Sequence, residues 1–248
     1  MTKKITPAQY NRKLITCDGS KGGTGKSLIA TTIASLLLRN NYSVTLIEAD
    51  KTNPDIARRF GDYAPVLLAD IDNKDGWMSL LDEIENIETQ YIVMSMPAGL
   101  NEVNEISGLL ARTLHELEIE LHQVFCLSRQ TDSLYLINTS IETGLAAFAQ
   151  QSIAVKNGFF GKNEEFDRWN QSPTRNKWLS KNFQETFLPE LNHRIIDFLE
   201  SNPQPLHGIS KKHLRTALWL DLQDWLGIAE QCFSSITIKE QAVTSAGD

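Results

Sequence analysis

The run Ser20-Lys21-Gly22-Gly23-Thr24-Gly25-Lys26-Ser27 constrains the fold of this chain more than any other feature. It follows a short apolar run, Leu14-Ile15-Thr16-Cys17, and it opens a segment with Ile29, Ile33, Leu36 and Leu37 at helical spacing. A buried strand, a glycine-rich turn and a helix in that order let backbone N–H groups converge on phosphate oxygens, and the positive end of the helix dipole adds to the attraction. In such a loop Lys26 is placed to neutralise the β- and γ-phosphates, and the Ser27 hydroxyl to ligate Mg²⁺. Most loops of this kind begin with Gly where Ser20 stands here.

The rest of the chain repeats the alternation. Apolar runs at 43–47, 91–94, 123–127, 152–155 and 186–189 read as strands. Amphipathic segments at 26–39, 53–60, 75–86, 101–117, 132–150, 192–200 and 210–233 read as helices. Continuous apolar strands alternating with helices predict an α/β protein: a mostly parallel, twisted sheet flanked by helices on both faces. No linker interrupts it, so one domain over residues 1–248 is expected, with a flexible N-terminus at 1–12, a polar and aromatic excursion at 158–182 and a frayed tail at 240–248.

Charge and cysteine content exclude several classes. The balance of 24 basic and 31 acidic residues, −7 overall, gives no global attraction to nucleic acid or anionic lipid, although a local basic patch could still bind either. The densest apolar stretch, residues 28–38, is broken by Thr31, Thr32 and Ser35, and a membrane span needs about 20 apolar residues. The start, Met1-Thr2-Lys3-Lys4, leads into no secretory apolar core. Cys17, Cys126 and Cys232 are far apart and odd in number, which fits reduced core cysteines in a cytoplasmic protein. The five histidines show no ligand pairing.

Lys21-Gly22-Gly23-Thr24-Gly25-Lys26-Ser27 resembles the deviant Walker A motif of the ParA/MinD superfamily of P-loop ATPases, in which the first glycine is replaceable. The resemblance implies ATP, Mg²⁺ and a homodimer that sandwiches two nucleotides, with Lys21 reaching the partner's phosphates. Glu48-Ala49-Asp50, followed by Asn53, resembles the family's carboxylate segment. By that likeness Asp50 orients the attacking water and orders the metal shell, and Glu48 holds a metal-bound water. Asp50 could also simply cap the helix that follows. The family's third strand ends in Asp-x-Pro-Pro/Ala-Gly. Here Ser95-Met96-Pro97-Ala98-Gly99 keeps the end of that pattern but puts a hydroxyl where the aspartate belongs. Weaker Mg²⁺ binding is expected, with either slow hydrolysis or ATP binding that scarcely turns over.

Asn157, at the end of a strand, matches the family residue that reads adenine, and Pro189 resembles the later proline that touches the base; each is also an ordinary turn residue. Asn157-Gly158-Phe159-Phe160-Gly161 with Phe166 and Trp169 resembles the conjugal-transfer TraL-type branch, or else forms an insertion over the base pocket. The family likeness implies a role in plasmid partition, conjugal transfer or cargo positioning, with an activating or cargo protein as partner. Non-specific DNA is a further candidate partner, through Lys211-Lys212-His213-Leu214-Arg215, a cluster that also reads as a solvated helix end. The polar face of the last helix carries Asp221, Asp224 and Glu230, which argues against docking on anionic lipid and assigns Trp219 and Trp225 to core or interface. Alternative readings are a hydrolysis-deficient ATP-binding adaptor and a P-loop enzyme passing phosphate to a small substrate. An iron–sulfur scaffold would carry a Cys-x-x-Cys, which this sequence lacks.

Overall fold

The computed structural model describes residues 12–20, 22–49, 54–97 and 103–237, without the side chains of 103–105. Seven strands form one sheet in the order β3-β2-β4-β1-β5-β6-β7. They are β1 (Arg12–Gly19), β2 (Val44–Glu48), β3 (Val66–Leu68), β4 (Tyr91–Ser95), β5 (Ile119–Leu127), β6 (Gln151–Asn157) and β7 (Gln184–Leu188). Every neighbouring pair is parallel. The helices are α1 (Lys26–Arg39), α2 (Asp55–Phe60), α3 (Lys74–Glu85), α4 (Val103–Glu116), α5 (Thr131–Glu142), α6 (Asp167–Asn170), α7 (Pro173–Ser180), α8 (His193–Ser201) and α9 (Thr216–Thr237).

Strand residues alternate between two cores because successive side chains point to opposite faces. Ile15, Cys17, Val93 and Val124 pack with α1, α8 and α9, while Leu14, Ile92, Met94 and Leu121 pack with α3 and α4. α1 lies between the sheet and α9, so Ile29 through Leu37 are all buried, polar Thr31, Thr32 and Ser35 included. A third core joins Phe125, Leu127 and Ala154 to Phe166, Trp169 and Trp178 of the excursion and to Phe183 just after it. Those aromatic anchors explain how a polar stretch stays packed, since burying each large apolar side chain stabilises by about 1.5–3 kcal/mol.

The chain departs from the sequence expectation in four places. β3 was not foreseen. The helix expected over 132–150 ends at Glu142, because Thr143-Gly144 turns the chain into a 3-10 turn at Leu145–Ala147. The helix expected from 210 begins at Thr216, because Ser210 and His213 close a turn ahead of it, the Ser210 N–H donating to His213 Nδ1 at 3.1 Å. Arg12, expected in the flexible terminus, begins β1 and donates to the Ile87 and Leu117 carbonyls at 2.8 and 2.6 Å. Residues 1–11 and the tail 240–248 lie outside the described residues.

Candidate functional site

In a parallel sheet of this kind, ligands bind beyond the carboxyl ends of the strands, where strand order reverses. β1 sits at that point, with β4 on one side and β5 on the other, and the glycine loop leaves its carboxyl end. Gly23 and Gly25 have φ of 76° and 95°, the left-handed region that side chains with a Cβ avoid. At Gly25 a Cβ would also lie 2.4 Å from Asn157 Nδ2. α1 starts at the next residue with no side-chain cap and no acidic residue in its first turn, so its leading N–H groups are open to an anion. Lys26 is buried at the floor of the loop, Ser27 is half-buried beside it, and Gly22 and Gly23 are exposed.

Asn157 joins β6 to this loop. Its Nδ2 donates to the Thr24 carbonyl at 2.9 Å, and its Oδ1 accepts from the Phe159 N–H at 3.1 Å. One N–H and one lone pair of the amide are therefore engaged by the protein. Gly158 presses against the loop after β7: a Cβ there would lie 2.8 Å from the Leu188 carbonyl oxygen and 2.6 Å from the Glu190 nitrogen. Pro189 is thereby brought beside Asn157, and its carbonyl accepts from Trp225 Nε1 at 2.8 Å, which fixes the buried Trp225 in the core.

β2, β4 and β1 end side by side, with Glu48, Ser95 and Cys17 in register. Glu48 is buried, and its Oε2 accepts from the Ile56 N–H at 2.9 Å, holding the start of α2. The Ser95 hydroxyl is fully buried with no hydrogen-bond partner among the described residues. An orphaned buried hydroxyl costs about 1–3 kcal/mol and calls for a partner. The hydroxyls of Ser27 and Ser95 and the Glu48 carboxylate are hard oxygen donors, a set that suits Mg²⁺. Lys21, Asp50, Ala98 and Gly99 lie outside the described residues.

Two buried networks under the loop were not apparent from sequence. Ser20 Oγ meets Ser133 Oγ at 3.0 Å, and Ser133 meets Ser128 Oγ at 2.9 Å, so the residue that replaces the first glycine ties the loop to the start of α5. Asp18 accepts from the Gly19 N–H at 2.6 Å and from Gln123 Nε2 at 3.3 Å, and Gln123 continues to Ser140 at 2.9 Å. Burial pushes the Asp18 carboxyl above its ordinary value, against the pull of the Gly19 N–H and of Lys26. Burial likewise raises the Cys17 thiol, so that thiol stays protonated. The basic residues Lys211, Lys212 and Arg215 are exposed in the turn ahead of α9.

A parallel sheet whose first strand passes through a glycine loop into an uncapped helix defines a P-loop nucleotide-binding protein. The chain belongs to the CobQ/CobB/MinD/ParA nucleotide binding domain family, which matches residues 15–232. It is similar to Protein MobD of Acidithiobacillus ferrooxidans, with 28% identity over 219 residues, 88% of this chain and 95% of that protein. The MinD cell division protein of Aquifex aeolicus shares its fold at a TM-score of 0.52 and 16% identity, over 87% of this chain and 97% of that one. The MinC:MinD cell division protein complex of the same organism matches at a TM-score of 0.50 and 16% identity, over 92% and 98%. No helix among the described residues is long and apolar enough to cross a membrane.

Proposed function

We propose that the chain is an ATP-binding, slowly hydrolysing switch that dimerises when ATP is bound and works in plasmid partition, conjugal transfer or cargo positioning. The observation that carries this reading is the uncapped α1 N-terminus behind left-handed Gly23 and Gly25, with Lys26 buried at its floor. The backbone N–H groups of residues 22–27 cradle the phosphates, and Lys26 offsets their charge. The Asn157 amide meets the adenine edge, with Pro189 against the base.

Ser27, Ser95 and Glu48 would hold Mg²⁺, which when bound neutralises charge on the β- and γ-phosphate oxygens. Ser95 brings a hydroxyl and no charge, so metal affinity and turnover fall below those of a site with an aspartate there. Asp50 orients the attacking water. Lys21 crosses to the partner's phosphates, so two bound nucleotides that would otherwise repel become bridged, and association depends on the γ-phosphate. The setting rests on the likeness of the loop and of the aromatic segment after Asn157 to the family. The MinC:MinD complex supports a protein partner by analogy. Ser95 also favours a second reading, an adaptor that retains ATP and releases no phosphate.

Lys26→Ala should abolish nucleotide binding measured by calorimetry, and unchanged affinity would refute the loop assignment. Lys21→Ala should bind nucleotide normally yet fail to dimerise with ATP; dimers that persist would remove its role across the interface. Ser95→Asp should tighten Mg²⁺ dependence and raise turnover, whereas a wild-type Mg²⁺ profile would place Ser95 outside the metal shell.

A further inference from the structure

Asp18 stands near the carboxyl end of β1, two residues before Ser20, and puts a half-buried carboxylate beneath a loop built to hold anions. Its Oδ1 accepts from the Gly19 N–H at 2.6 Å, so the backbone N–H that leads into the loop is engaged by the protein's own carboxylate. Its Oδ2 accepts from Gln123 Nε2 at 3.3 Å. Gln123 is fully buried, and the Ser140 hydroxyl bridges both ends of its amide, at 2.9 and 3.3 Å. The same hydroxyl accepts from the Ala146 N–H at 3.1 Å. The carboxylate is therefore held in place by β5 and α5 and does not move with the loop.

Asp18 makes no ion pair among the described residues. The charged group that acts on it is Lys26, the residue assigned to the phosphates, whose field draws the Asp18 carboxyl down while burial raises it. Cys17 on the same strand and Cys126 on β5 are both held protonated by burial. Gln123 and Ser140 are neutral, and β4 ends beside β1 in Ser95 and Met96, neither of them charged. A polyphosphate in the loop and the Asp18 carboxylate thus compete for the field of one lysine, and they repel each other.

We propose that Asp18 sets the nucleotide affinity of the loop: as a carboxylate it opposes the phosphates and keeps binding weak enough for exchange, and as a neutral acid it lets them bind tightly. The inference rests on the phosphate-loop reading and adds a proton-linked control to it. Asp18 touches no reacting atom and acts through the field at the phosphates. Above its titration midpoint the carboxylate is charged and repels the ligand. Below that midpoint the repulsion is gone, so acid favours binding through this residue.

The test is calorimetric titration of the full chain with inorganic triphosphate and with Mg-ATP, using Asp18→Asn and Asp18→Ser. Asparagine matches the carboxylate in shape, and the Gln123 amide can turn over to face it. Serine is smaller and still accepts from the Gly19 N–H. Each variant should bind both ligands about tenfold more tightly at neutral pH, the size of one charge acting over about 10 Å at an effective dielectric of about 20. The gain should shrink on acidification, with a midpoint above the ordinary 3.8, as the parent's own carboxyl takes up its proton. Asp224→Asn, which removes a charge from exposed α9, should bind as the parent does. Circular dichroism checks that each variant is folded, and two neutral variants guard against the loss of one. A role confined to shaping the loop predicts equal or weaker binding by both. Affinity unchanged or weakened in both folded variants, or a gain that persists undiminished in acid, would overturn the proposal. Lys26→Ala separates the two readings. Triphosphate binding that survives it refutes the loop, whereas binding lost there with no gain in the Asp18 variants refutes the role of Asp18 alone.

Discussion

The two flanks of the sheet end differently. On the β7 side the outer carbonyls are taken by side chains: Trp178 Nε1 donates to the Gln184 carbonyl at 2.7 Å, and Cys232 Sγ reaches the Phe187 carbonyl at 3.4 Å. Glu185, on the same strand, is gripped by Arg175 through two contacts of 2.7 and 2.8 Å, by Trp169 Nε1 at 2.9 Å and by Lys156 at 3.7 Å. On the β3 side the edge strand is three residues long, its last residue Leu68 faces water, and no described side chain closes it. One flank is sealed by an aromatic excursion and the other is left available. The chain spends 25 residues, from 158 to 182, on covering one flank, and almost none on the other.

That contrast can be broken most forcefully at Trp178, which is fully buried and packs edge-on against both Trp169 and Phe183. Trp178→Ala should destabilise by about 3–5 kcal/mol in urea unfolding. A loss within experimental error would mean that the excursion does not seal the sheet.

A smaller effect is expected at Glu185. Burial alone would raise its carboxyl, but Arg175, Trp169 and Lys156 together hold it below the ordinary 4.5. A depressed carboxyl adds stability that is fully present above its unfolded value and is lost as pH falls through the folded one. Glu185→Gln should therefore cost about 1–3 kcal/mol at neutral pH and flatten the loss of stability below pH 4.5. An acid limb identical to that of the parent would contradict the network.

The smallest effect belongs to the open flank. Leu68→Lys should change stability by less than about 0.5 kcal/mol, because an exposed edge residue has few contacts to lose. A large destabilisation would show that β3 is closed by something, and would sharpen the comparison against us.

The legibility of the molecule follows the range of its interactions. The phosphate loop and the parallel sheet were readable because strand, glycine loop and helix are contiguous and their chemistry is local. β3 was not, since three residues with mixed exposure carry no period. Helix α5 was overextended because Leu145 and Ala146 continue an apolar pattern across Thr143-Gly144, and the glycine turn that stops it is a single position. The clamp from Asn157 to Thr24 joins residues 133 apart, and the Ser20–Ser133 contact joins residues 113 apart, so spacing along the chain could not reveal either. Asp18 reads in sequence as one more polar residue after a strand. Only its contact with Gln123, which in turn reaches Ser140, marks it as a half-buried carboxyl under the loop. Trp169 and Trp178 stood out as aromatics in a polar stretch, but their sheet-sealing role depends on β7, which follows them.

The central claim is that nucleotide state sets association. Its most direct test is solution mass by light scattering, with Mg-ATP and then with Mg-ADP, nucleotide occupancy being checked in each case. The account predicts a doubled mass with ATP and the protomer mass with ADP. An unchanged mass with ATP demonstrably bound would contradict it, and would leave Lys21 without a phosphate to reach.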